Sequence, residues 1–139
     1  MPSLNPNLVG RVFPPTTYLV GREKIREFAR AVRSTNPLHH DVEASRPAGF
    51  ADVVAPTTFT TVVQWPSIIQ VVETPDTGLD LHRVVHGAEK IEYRRTIVAG
   101  DDLSTTFTIT DVAERAGNAI LSNRAARNGD VVSQLVPDL

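Results

Sequence analysis

Between residues 22 and 32 the apolar side chains Ile25, Phe28, Ala29 and Val32 fall at i, i+3, i+4 and i+7, with Glu23, Lys24, Arg26, Glu27 and Arg30 on the other side. This spacing matches the helical repeat and predicts an amphipathic helix. Residues 57–73 differ: Phe59, Val62, Val63, Trp65, Ile68, Ile69, Val71 and Val72 leave hardly a polar face, which predicts a buried helix with Phe59, Trp65, Ile68 and Ile69 in the core. Pro56 reads as its first residue, where proline gives up only an N–H that had no partner. Pro66, inside the run, loses a hydrogen bond and clashes with the carbonyl four residues back, so a kink near residues 62–66 or two shorter helices are expected.

Elsewhere the pattern is extended. Residues 83–97, 103–113, 118–127 and 131–136 are rich in Val, Ile, Thr and Phe and read as strands. They are separated by Ala99-Gly-Asp101, Arg115-Ala-Gly117 and Asn128-Gly-Asp130, which predict three successive hairpins and hence a meander. A short strand is expected at 17–20. The proline-rich residues 1–16 read as an irregular lead-in, and 33–52, with no period and with Pro37 and Pro47, as a loop of about twenty residues. One long buried helix before an antiparallel sheet is an α+β arrangement, and the simplest packing wraps the sheet around that helix.

A chain of 139 residues fits one domain, here residues 1–139, with enough length for a real core. Hydrophobic residues at 41% and charged ones at 22% exclude a disordered or fibrous class. The net charge of −2 gives no electrostatic footprint for a polyanion, so no nucleic-acid partner is expected. With no cysteine there is no disulfide framework, thiol nucleophile or thiolate metal site. No run approaches the ~18 apolar residues that would cross a bilayer, and no targeting pattern opens the chain; no membrane association and a cytoplasmic location are expected. His82 and His86, at the start of a predicted strand, would stand ~13 Å apart, too far to share one metal ion, so no metal is expected. Arg94 and Arg95 read as solvated strand surface, with phosphate binding as a lesser option, and Ala99-Gly-Asp-Asp102 as a turn.

The loop contains Asn36-Pro37-Leu38-His39, the last four positions of the Gly-Asp-x-Asn-Pro-Leu-His form of the MaoC-like hot-dog family, which the chain resembles. These are (R)-specific enoyl-thioester hydratases and (3R)-hydroxyacyl-thioester dehydratases. The likeness is greatest to the actinobacterial branch with a fatty-acid-synthase-type dehydratase N-terminal domain, which includes the small subunits of mycolic-acid elongation. Gly21-Arg-Glu-Lys-Ile-Arg-Glu-Phe28, Ala55-Pro-Thr-Thr-Phe59, Val84-Val-His-Gly87 and Ile97-Val-Ala-Gly-Asp101 carry it in order, from about Val9 onward. The resemblance implies a hot-dog fold, no cofactor, an acyl-CoA or acyl-ACP substrate, and a homodimer or a heterodimer with a related hot-dog subunit.

The chemistry of such a reaction needs a group that moves the proton of water and donors that hold an enolate-like oxygen. His39 is the candidate catalytic residue, because imidazole titrates near ~6.5 and can take or give a proton at neutrality. The backbone amides of Thr57 and Thr58, at the start of the buried helix, are candidate oxyanion donors. With Asn36 and Phe59 they form the expected substrate-contacting set, the acyl chain running along the Phe59 side of the helix. The family's Asp, two residues before Asn-Pro, is replaced by Ser34, and Asp41 is out of register. Two readings follow: a dehydratase/hydratase subunit working through His39, or a non-catalytic hot-dog partner or acyl-thioester-binding module. Thioester hydrolysis is a third and weaker one, since it wants a carboxylate on the helix and residues 57–70 offer none.

Overall fold

The computed structural model describes residues 5–79, 82, 90–115, 118–127 and 131–135. Strand β1 (Thr16–Leu19) leads into helix α1 (Arg22–Ala31), one-turn helix α2 (Val42–Ser45), and the long helix α3 (Thr60–Glu73). Four strands follow: β2 (Lys90–Tyr93), β3 (Asp102–Arg115), β4 (Asn118–Arg127) and β5 (Val131–Leu135). The sheet is antiparallel, in the order β1-β3-β4-β5-β2.

This order corrects the predicted meander. Strands β3, β4 and β5 do follow one another, but β2 crosses to the far edge and pairs with β5, Tyr93 opposite Val131. The turn at Ala99-Gly100 exists, with Gly100 at φ 97°, yet it joins β3 to Val98, which bridges Val54 rather than continuing β2. Of the expected strand 83–97, residues 83–89 lie outside the described residues. The lead-in is more ordered than its prolines suggest. Residues 6–8 form a 3-10 turn capped by Asn5, and Gly10, Arg11 and Phe13 exchange backbone hydrogen bonds with Phe107 and Ile109 of β3.

From Leu103 to Ile109, before its register shifts, strand β3 alternates, burying Leu103, Thr105, Phe107 and Ile109 while Ser104, Thr106 and Thr108 face outward. Helix α3 lies against it and β1, where the Thr16 and Ser67 hydroxyls meet at 2.7 Å. Its two ends sit in two core clusters. Phe59 and Val63 join Val20, Ile25, Val53, Ala55, Ile97 and Leu103; Val71 joins Leu8, Phe13, Phe107 and Ile109. The α+β layout read from the sequence is therefore observed. The helix is one continuous element through Pro66, which excludes the second of the two alternatives, a division into two helices.

The expectation for its faces is corrected in part: Phe59 is fully buried and Ile68 packs against the second cluster as expected, but the rest differs. The buried stripe is Thr60, Val63, Gln64, Ser67 and Val71, while Trp65 is 48% exposed, Pro66 is exposed, and Val62 and Ile69 are half-buried. In the single chain α3 covers its more polar side and presents an apolar one. No helix among the described residues is long and apolar enough to cross a membrane.

Candidate active site

The segment expected to be a loop of about twenty residues is built by capping. Helix α1 ends with Arg33 in the left-handed region at φ 58°; the Arg33 amide donates to Arg30 O (3.1 Å) and the Ser34 amide to Ala29 O (2.8 Å). That paired closure of a helix end fixes Ser34 against α1. Two residues on, the Asn36 side chain accepts the Leu38 amide at 3.0 Å and so caps a 3-10 turn over Pro37–His39. The Asp41 side chain then accepts the Glu43 amide at 2.9 Å and starts α2. The absence of helical period hid both turns; their Asx caps at Asn36 and Asp41 are the signal that would have revealed them.

The turn presents His39 to a strand-like segment. The Val54 amide donates to Leu38 O (2.8 Å), and His39 Nδ1 lies 2.7 Å from Val54 O. A carbonyl can only accept, so Nδ1 carries the proton and Nε2 of the neutral ring carries the basic lone pair. No described residue bonds that nitrogen. On its other side the same segment is held by Ala55 N to Ile97 O (2.8 Å) and Ala99 N to Val53 O (3.0 Å). His40 faces back toward α1: its Nε2 donates to Ser34 O (2.8 Å), and Arg26 Nε donates to its carbonyl (2.9 Å). The sequence pattern pointed to none of Val54, His40 and Arg26 as part of this framework.

Ser34 is half-buried, with both backbone groups engaged and with no described partner for its hydroxyl. The nearby carboxylates serve elsewhere. Asp41 is the cap of α2, and Asp52 accepts a two-pronged hydrogen bond from Arg22 (3.0 and 2.8 Å) and the Val53 amide (2.8 Å). The guanidinium, aided by that amide, holds the Asp52 carboxyl below the usual carboxylate range despite partial burial.

Three residues past Val54 the chain enters the 3-10 turn that leads into α3. Pro56, at φ −56° and ψ 152°, is the cap residue and not the first helical one, which corrects the expectation for it. Thr57–Phe59 make a 3-10 turn closed by Phe59 N to Pro56 O (2.9 Å). Thr57 and Thr58 are exposed, and their amides have no acceptor among the described residues. Unpaired amides at the positive end of a helix are suited to an oxygen bearing negative charge. The Thr58 carbonyl accepts the Thr61 hydroxyl (2.9 Å), and the Thr57 carbonyl accepts the Tyr93 hydroxyl. Phe59 is fully buried, edge-to-face with Tyr18 and Phe28, and seats the turn on the core. Of the other candidates, Arg95 pairs with Asp101 at 2.7 Å, Arg94 and His82 are exposed, and His86 is outside the described residues.

A single segment, 53–58, thus carries both the clamp of the His39 ring and the open amides. The family model described as the FAS1-like dehydratase domain region matches residues 7–132. A UPF0336 protein of Clavibacter michiganensis is 54% identical over 124 residues, 88% of this chain and 83% of its own length. One of Streptomyces coelicolor is 50% identical over 123 residues, 88% and 82% of the two chains. Among solved structures, the C-terminally truncated HadBC (3R-hydroxyacyl-ACP dehydratase) complex of Mycobacterium tuberculosis superimposes with a TM-score of 0.78 at 27% identity, covering 91% of this chain and 93% of that chain. The (R)-hydratase of A. caviae involved in PHA biosynthesis, at 16% identity, TM-score 0.64 and coverage of 91% and 92%, shares the fold.

Proposed function

Because the chain belongs to the FAS1-like dehydratase domain family and has the hot-dog fold, we propose that it is a subunit of a (3R)-hydroxyacyl-thioester dehydratase, working in reverse as an (R)-specific enoyl-thioester hydratase, on acyl-CoA or acyl-ACP. His39 is the acid–base group. In the hydration direction Nε2 takes a proton from water as its oxygen bonds to the β-carbon of a trans-2-enoyl thioester. The electron pair moves onto the thioester oxygen, which the Thr57 and Thr58 amides hold. The imidazolium then returns the proton to the α-carbon, and dehydration is the reverse. The observation that carries the proposal is the Val54 carbonyl on His39 Nδ1, which leaves Nε2 as the base on the same segment that ends in the open amides.

Ser34 favours a second reading, in which this chain is the acyl-binding half of a heterodimer whose partner hot-dog subunit supplies the carboxylate and histidine. Either reading requires a second subunit. The apolar side of α3, with Trp65, Pro66 and the half-buried Ile69, supports one, since an apolar helix face left in water is normally covered in the assembly. With Phe59 enclosed by Tyr18 and Phe28, this outward face is the better course for the acyl chain.

The test is the purified chain alone with crotonyl-CoA. Loss of the enoyl absorbance, abolished by His39→Ala, supports the first reading. Binding without turnover supports the second, and a chain that has assembled into dimers yet neither binds nor turns over the thioester rejects both.

A further inference from the structure

The Tyr93 hydroxyl donates to the Thr57 carbonyl, and we infer that Tyr93 is the positioning residue that aims and strengthens the Thr58 oxyanion donor. The inference rests on the thioester reading above and adds a residue to it.

Two peptide groups supply the open amides of the turn, and they are held differently. The Thr57 N–H belongs to the peptide whose carbonyl is Pro56 O, and that oxygen accepts the Phe59 amide at 2.9 Å, so the turn itself fixes this donor. The Thr58 N–H belongs to the peptide whose carbonyl is Thr57 O. A peptide group is planar, with its C=O and N–H pointing in opposite directions, so whatever holds the carbonyl also sets where the N–H points. Here the holder includes a side chain from another part of the chain, at the end of β2. The Tyr93 ring is itself anchored, packing partly buried against the cluster that contains Phe59 and Val63. A hydrogen bond to the oxygen of an amide also draws electron density from its nitrogen and makes the N–H a stronger donor, by about 10–30%. Tyr93 therefore acts through the backbone without touching the substrate.

The assay is isotope-edited infrared spectroscopy of a saturated acyl-CoA, labelled at the thioester carbonyl and unable to be hydrated, bound to the full chain. In the native protein the bound carbonyl stretch moves to lower frequency than in water. In Tyr93→Phe, which keeps the ring and its packing, that downward shift becomes smaller while the thermal midpoint and far-UV spectrum stay native-like. A fluorinated tyrosine at position 93, a stronger donor of nearly the same shape, makes the shift larger. An unchanged stretch in Tyr93→Phe overturns the inference and leaves the thioester reading standing. If Tyr93→Phe does not fold, the fluorinated residue decides, and an unchanged stretch there overturns the inference equally. A native protein that binds no acyl-CoA, or binds it with no downward shift, overturns the thioester reading and the inference with it.

Discussion

Replacing Phe59 by alanine removes the ring that seats the candidate-site turn on the core. The ring is fully buried and meets Tyr18 edge-to-face at 6.3 Å between centroids and 67°, and Phe28 at 5.5 Å and 86°. Truncating a buried phenylalanine to alanine costs about 3–5 kcal/mol, and two edge-to-face pairs at about 0.5–1.5 kcal/mol each place this site in the upper half of that range. Taken as about 4–5 kcal/mol, the loss approaches the whole stability of a marginal domain, which lies at about 5–15 kcal/mol. With a urea slope of about 2 kcal/mol/M the unfolding midpoint falls by about 2 M. Protein concentration is kept constant, because association would add its own contribution. Phe59→Leu, which keeps most of the volume, lowers the midpoint by well under half as much. A shift below about 0.5 M for Phe59→Ala, at unchanged slope, would show that the ring is not enclosed as described and that the turn is seated some other way.

Three further outcomes follow from the same geometry. His39→Ala lowers any hydratase rate of the chain by about 10²- to 10⁴-fold without a change in far-UV circular dichroism, whereas Ser34→Asp raises it; an unchanged rate in His39→Ala removes the histidine from the mechanism. Arg33→Gly stabilises the protein by about 0.5–1 kcal/mol in thermal unfolding, because a non-glycine residue at φ 58° carries a left-handed penalty that exceeds the extra chain entropy of glycine. The lowered carboxyl pKa of Asp52 contributes stability that is present above the unfolded value of ~3.9 and is lost as the pH falls through the lower folded value. The stability difference between the native protein and Asp52→Asn is therefore flat near neutrality and shrinks below pH ~4, measured by urea unfolding across that range.

The local elements were the legible ones. Helix α1, the long apolar helix and β4 announce themselves by period and turn residues, since neighbours in sequence make their contacts. The place of β2 was not legible, because its pairing with β5 joins residues about forty apart and a strand's period says nothing about which partner it takes. Trp65 shows a different limit. An apolar position is read as buried, yet one chain covers only one side of α3, and what covers the other is not encoded in the helix. Around the site, His39 and Thr57–Thr58 could be named from motif and helix-start chemistry. The Val54 carbonyl, the His40 latch onto Ser34 and the Tyr93 hydroxyl could not, because each is a contact of a side chain with a backbone carbonyl, which no residue pattern encodes.

Whichever subunit moves the proton, the proposed function requires the start of α3 to receive a thioester carbonyl. Following the backbone amide resonances while the chain is titrated with a non-hydrolysable acyl-pantetheine analogue reads this out at the donors themselves. The Thr57 and Thr58 amide protons are expected to move downfield, as donors to a new acceptor, with the largest changes in the chain. Saturable binding that leaves both amides unmoved, with the changes gathered elsewhere on the surface, would contradict it.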